Sequence, residues 1–231
     1  MHRRFVSAIL VALLTVVFTP VLVQGQAVDS LLYLIDHDLV EDDAEKYDLL
    51  LQVIKDISDA ESKISYCDQA IELAQKLDIV PAQAYFTKAE TLLDIGKYAL
   101  ALEYYMLAAN YYEENEDYTS LGRTYISMTI VYNQQGNREN EKFYLEKSIE
   151  IFEQINDSLA LSISLHNLGY FNYSMEEYDT ALVAYTKALD LFEKSDNTYE
   201  YYVCTGNIGL VHSRLSDFDK AEEYLLTAID T

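Results

Sequence analysis

The chain has 231 residues, 50% of them hydrophobic, with only 7 Gly and 2 Pro. That is apolar material for one or two domains but too little turn chemistry for a sheet protein, whose strands need frequent Gly, Pro or Asn-Gly punctuation. The formal net charge of −23, from 39 acidic against 16 basic residues, keeps the chain soluble and repels phosphate backbones, so nucleic acid is excluded as a partner of this segment.

At the N-terminus, Arg3 and Arg4 precede an apolar run from Phe5 to Phe18 broken only by Ser7 and Thr15; Pro20 and Val23-Gln24-Gly25-Gln26-Ala27 follow. A basic, then apolar, then small-residue order is the pattern of a secretory signal over residues 1–25, cleaved after Gly25 or Ala27. The apolar character extends weakly to Val23, near the lower limit of a bilayer span, so an uncleaved membrane anchor is the alternative. No Cys stands at the junction, which excludes lipid attachment there. Val28, Leu31, Leu32 and Ile35 then fall at helical spacing and predict a capping helix within residues 26–43.

From residue 44 to 231 the chain repeats itself. The blocks Tyr98-Ala99-Leu100-Ala101, Tyr178-Asp179-Thr180-Ala181 and Phe218-Asp219-Lys220-Ala221 share one register, and Ala108, Ser148, Ala188 and Ala228 stand 40 residues apart. Lys63, Cys67 and Ala70 mark a weaker first copy, giving five copies, of which the last is cut short. The third is degenerate, because Glu141 replaces the small residue. Each copy reads as two helices. The turns between them are Ile95-Gly96-Lys97, Gln135-Gly136-Asn137, Met175-Glu176-Glu177 and Leu215-Ser216-Asp217. Asp117, Asp157 and Asn197 mark the corners between copies, where short polar side chains suit caps and turns. Tyr85, Tyr125 and Tyr185 occupy core places, whereas Tyr104, Tyr111, Tyr112, Tyr201 and Tyr202 are expected at the surface.

Asn167-Leu168-Gly169 and Asn207-Ile208-Gly209 in first helices, with Tyr178, Ala181, Tyr185 and Ala188 in a second, resemble the tetratricopeptide repeat over residues 44 to 231. The common repeat is about 34 residues long; the longer period here is similar to that of repeat regions in bacterial signalling receptors and peptide-sensing regulators. The resemblance implies an all-α fold, a right-handed superhelical α-solenoid of antiparallel helix pairs, whose first helices line a concave surface. The face of each first helix not used for packing reads Phe86, Glu90, Leu93; Ile126, Ile130, Asn133; His166, Tyr170, Tyr173; and Gly206, Leu210, Ser213. An apolar and aromatic row there points to a groove for a protein or peptide; the alternative is that long helices curl and bury these residues against one another. Asn167 and Asn207 match the place where the family uses an Asn to hold the backbone of a bound peptide, and an amide offers both donor and acceptor. Arg123 and Arg214 are the basic residues of that surface, suited to meeting a carboxylate bidentately.

His37, His166 and His212 lack a neighbouring nucleophile with an orienting acid and lack metal-ligand spacing, and no phosphate-binding Gly-rich loop is present. The expectation is therefore a non-enzyme without cofactor or metal. Cys67 and Cys204 are expected as two separate thiols, Cys67 buried. Asn156-Asp157-Ser158 and Asn172-Tyr173-Ser174 are formal glycosylation sequons. The chain stops inside a second helix at Ala228-Ile229-Asp230-Thr231, which reads as the N-terminal part of a longer polypeptide. The resulting expectation is an exported interaction module, periplasmic or on the extracytoplasmic face of the membrane. It would serve as the sensing or docking region of a histidine kinase, nucleotide cyclase or DNA-binding regulator. A stand-alone periplasmic adaptor or assembly factor for envelope complexes is the alternative.

Overall fold

The structure is a computed structural model that describes residues 20–195 and 197–229, with side chains from residue 28 onward. The signal-like stretch before residue 20 lies outside the described residues, as do Asp196, Asp230 and Thr231. The described residues form eleven helices and no strand: α1 Pro20–Asp36, α2 Asp43–Asp56, α3 Ala60–Lys76, α4 Ala82–Asp94, α5 Tyr98–Glu114, α6 Tyr118–Gln134, α7 Arg138–Gln154, α8 Ser158–Ser174, α9 Tyr178–Lys194, α10 Thr198–Arg214 and α11 Phe218–Ile229. The chain divides between Lys97 and Tyr98 into two compact units. No helix of the described residues is long and apolar enough to cross a membrane.

In the first unit α1 packs on α2, α2 on α3 and α3 on α4. Their shared core is built from Ile35, Tyr47, Leu50, Val53, Leu73, Ala74 and Ala84. Val28, Leu31 and Leu32 of α1 pack against it. Helix α1 starts at Pro20, so the expected cleavage region lies within a helix. Asp42 and Asp59 cap α2 and α3 by accepting backbone N–H bonds from their first turns. Lys88 on α4 is buried, which its ammonium tolerates because Asp68 of α3 accepts a hydrogen bond from it.

The second unit is strictly periodic. Helices α5 to α11 begin at Tyr98, Tyr118, Arg138, Ser158, Tyr178, Thr198 and Phe218, and α5 to α10 are each 17 residues long. The remaining three residues of each step turn the chain. At the end of α8 the Glu176 N–H bonds the Tyr173 carbonyl and the Glu177 N–H bonds the Asn172 carbonyl, a Schellman closure that satisfies two orphan acceptors. It puts Glu176 in the left-handed region at φ 62°. Glu116, Gly136, Asn156 and Ser216 take the same conformation at φ 56, 68, 56 and 62°. The following residue then starts the next helix: the side chains of Asp117, Asn137, Asp157 and Asn197 accept from the N–H of Ser120, Asn140, Ala160 and Glu200. One polar residue thus closes one helix and opens the next.

Packing follows the same period. Helix α6 lies on α7, α8 on α9 and α10 on α11 as hairpins, and successive hairpins are joined through α5 with α6, α7 with α8 and α9 with α10. The second helices bury one line each: Ala101, Tyr105, Ala108, Tyr112; Glu141, Leu145, Ser148, Phe152; and Ala181, Tyr185, Ala188, Phe192. Residues at i, i+4, i+7 and i+11 share a helix face, which is why the small residues recur there. Tyr112 extends the first of these lines and is only 7% exposed, contrary to the surface position expected of it. Tyr104, Tyr111, Tyr201 and Tyr202 are half-buried. First helices answer the aromatic rings with glycine. A β-carbon on Gly169 would sit 2.6 Å from the Tyr185 ring, and one on Gly122 would sit 2.5 Å from the Phe152 ring.

Cys67 and Cys204 are both free and buried, in the first and second unit respectively. Burial pushes each thiol up to about 12, with the nearby carboxylate of Asp68 or Glu200 acting in the same direction. Of the two sequons, Asn156 is exposed on a corner, whereas Asn172 is 3% exposed inside α8 and presents no acceptor amide.

Candidate functional site

The surface of interest in the second unit is the face that α6, α8 and α10 turn away from their partner helices. Ile130, Tyr170 and Leu210 occupy equivalent places on the three helices and are 45%, 55% and 46% exposed. Hairpin packing therefore leaves these three side chains uncovered. Ile126, His166 and Tyr173 are half-buried beside it. Apolar side chains at the exposed places of otherwise well-packed helices are what a partner surface requires. Phe86 and Glu90 stand at the matching places on α4, which belongs to the first unit; Phe86 is half-buried and Glu90 exposed.

The polar residues of the row differ in how they are held. Asn167 is half-buried and has no hydrogen-bond partner among the described residues. Asn207 is engaged: its Nδ2 lies 2.8 Å from Nε2 of His166, joining α10 to α8. Because an amide nitrogen only donates, Nε2 is the acceptor and the neutral ring carries its proton on Nδ1. His166 packs against Tyr185 and Phe192, with ring centroids 5.4 and 6.4 Å away. That burial holds its imidazole below the usual histidine range, against a smaller opposing pull from the Glu200 carboxylate.

Arg214 is exposed at the end of α10, and its Nε donates to the Tyr173 hydroxyl at 3.0 Å. Tyr173 is itself steadied by the Tyr178 ring, 5.7 Å away. Engaging Nε orients the guanidinium and leaves its two terminal nitrogens without a partner among the described residues. Arg214 is the one Lys or Arg on α8 and α10. Arg123, on α6, is exposed.

Asn133 has a different task from its neighbours in the row. Its Nδ2 donates to Glu141 Oε1 at 2.8 Å, and Arg138 donates to Glu141 Oε2 at 2.7 Å. Glu141 holds the small-residue place of the third copy and is buried, so these two donors are what make its carboxylate tolerable. The departure at Glu141 is visible in the sequence, but its partners are not, since Asn133 reads equally well as a groove residue. His212 also belongs to packing: it is buried and stacks on Tyr224 at 5.5 Å, with Nδ1 3.4 Å from Asp217. His37 is exposed, stacked on Tyr33 and bonded to its carbonyl. Among the described residues no cluster of three or more His, Cys, Asp or Glu side chains is placed to hold a metal ion.

Tetratricopeptide repeat profiles match residues 82–115 and 160–231. Among curated proteins, response regulator aspartate phosphatase I of Bacillus subtilis (strain 168) is 22% identical over 164 residues, covering 68% of this chain and 42% of that protein. The chain thus spans less than half the length of this relative. Among solved structures, BtubC from P. vanneervenii superposes with a TM-score of 0.71 at 22% identity, covering 88% of this chain and 86% of that one. A Rap protein in complex with competence and sporulation factor superposes with a TM-score of 0.61 at 16% identity, covering 79% and 57%. At such identities the likeness is one of fold, a solenoid of helical hairpins.

Proposed function

This chain is a member of the tetratricopeptide repeat superfamily, and from that premise we propose that it is an exported interaction module that holds a protein or peptide along the outward row of α6, α8 and α10. The observation that carries the proposal is the uncovered line Ile130, Tyr170 and Leu210, flanked by the unpartnered amide of Asn167 and the oriented guanidinium of Arg214. Apolar side chains supply contact area, an amide pairs with a peptide unit, and the arginine fork receives a carboxylate. Binding of competence and sporulation factor by a Rap protein of like fold supports a peptide or protein ligand here. Arg3, Arg4 and the apolar run after them support export. We take the module to serve a larger extracytoplasmic signalling protein as its sensing or docking region, acting by binding and not by catalysis.

The test is capture from envelope extract with the chain and with a Tyr170→Ala, Leu210→Ala double variant whose helical circular dichroism is unchanged. Aromatic anchors at interface centres lose about 2 kcal/mol or more on truncation, some thirtyfold in affinity. A partner retained by the first and lost by the second is the expected result; equal retention sinks the proposed surface. Fusion to an enzyme that is active only outside the cytoplasm reads out export, and an inactive fusion removes that part of the proposal.

A further inference from the structure

The contact between His166 and Asn207 does more than join two hairpins. Nε2 of His166 takes one N–H of the Asn207 amide at 2.8 Å, so the amide oxygen is turned the other way. We infer that His166 is a positioning residue that fixes the direction of the Asn207 amide, and through it the hydrogen-bonding polarity that α10 offers a ligand. This rests on the proposal above only in placing Asn207 on the binding row; the positioning itself belongs to the free protein.

With the proton of the neutral imidazole on Nδ1, as the Asn207 Nδ2 contact requires, Nε2 accepts and Asn207 presents nitrogen to it. The outward carbonyl then accepts a donor, such as a peptide N–H. Protonation makes Nε2 a donor, which places two donors 2.8 Å apart. The amide relieves this by turning over, so that its oxygen faces the imidazolium and its NH2 faces outward. One proton on His166 thus exchanges an acceptor for a donor about one turn from Leu210.

The groups around the ring set where this happens. From α9 the ring is faced by Tyr185 and Phe192, neither of which is charged at neutral pH. From α10 it is faced by the Asn207 amide, and among the described residues the Glu200 side chain opposes the effect of burial on the ring. Burial outweighs the Glu200 carboxylate, so the turnover belongs below the ordinary histidine range, and the acceptor form is the working state near neutrality.

The inference is tested on the free full chain by nitrogen-15 NMR of the His166 ring and the Asn207 side-chain amide across pH 4 to 8. The expected result at pH 7.5 is a neutral ring with its proton on Nδ1 and an Asn207 amide proton hydrogen-bonded to Nε2. On acidification both residues change with one midpoint. In His166→Gln the side chain keeps an acceptor that does not titrate, so the Asn207 resonances stay flat over the same range. A ring carrying its proton on Nε2 at pH 7.5 overturns the inference. So does an Asn207 amide that ignores the His166 midpoint, or one that still titrates in His166→Gln. Each outcome is read without a ligand, so failure here is distinct from failure of the capture experiment.

Discussion

Glycine and non-glycine residues occupy the same backbone state at equivalent corners, so exchanging them must change stability with opposite signs. Gly136 and Glu176 sit 40 residues apart, both just past a first helix, at φ 68 and 62°. A side chain in the left-handed region costs about 1–2 kcal/mol. Glycine avoids that strain but loses about 0.5–1 kcal/mol more backbone entropy on folding. The difference favours glycine by about 0.5–1 kcal/mol at each corner. A β-carbon added at Gly136 would meet nothing within 4 Å, so conformation alone decides the outcome there. Gly136→Ala should therefore destabilise by about 0.5–1 kcal/mol and Glu176→Gly stabilise by a similar amount. Glu116→Gly and Ser216→Gly, at φ 56 and 62°, should behave like Glu176→Gly. The three lie on separate corners, so together they should add about 1.5–3 kcal/mol. Urea denaturation followed by circular dichroism measures this, the midpoint moving at constant slope. If Glu176→Gly destabilised the protein, or Gly136→Ala left it unchanged, the corner conformation would not be governing stability.

Three further outcomes follow from buried groups. Native Cys67 and Cys204, raised from 9.0 to about 12 by burial, should resist an aromatic disulfide reagent at pH 8 and both react once urea is added; one thiol modified in the folded chain would contradict the packing. Because their folded values are raised, the stability they contribute is fully present below pH 9 and lost as pH climbs from 9 toward 12, which an alkaline series of melts will register. Glu141→Ala restores the small residue of the repeat yet strands Asn133 and half-exposed Arg138, and should lower stability by about 1–3 kcal/mol in urea; a gain would mean the buried carboxylate was a net burden.

The periodic part of the fold is legible in the chain because each signal is local. A small residue every 40 positions, an Asn or Asp at the corners before α6, α8 and α10, and a polar turn before each second helix are consequences of helix geometry and capping. The structure converts them directly into buried lines, caps and Schellman corners. The exposed row is legible for the same reason, since Ile130, Tyr170 and Leu210 follow from phase alone. Tyr112 departs from its expected surface place because two adjacent tyrosines differ by about 100° around the helix, and the buried line from Ala101 through Ala108 selects the second. Which polar groups meet across hairpins is set by side-chain reach between copies. Asn207 and His166, or Arg214 and Tyr173, are 41 residues apart, and nothing in one helix announces the other.

Those cross-copy bonds distinguish the fourth and fifth copies from the third. In the third, Asn133 turns inward to a buried carboxylate, so the polar capacity of α6 is spent on holding Glu141. In the fourth and fifth, the small residue is Ala181 or Ala221, which presents no polar group for the first helix to satisfy, and Asn207 and Arg214 of α10 bond His166 and Tyr173 of α8. The unpartnered amide of Asn167, the outward oxygen of Asn207 and the free edge of Arg214 all lie on those two helices. A repeat that keeps its small residue thus leaves the polar side chains of its first helix for other contacts, while the third copy uses Asn133 of its first helix to satisfy the buried Glu141. On the binding mode proposed above, specificity for a ligand would be concentrated on α8 and α10, with α6 offering apolar contact through Ile126 and Ile130; Arg123 is exposed on the same helix.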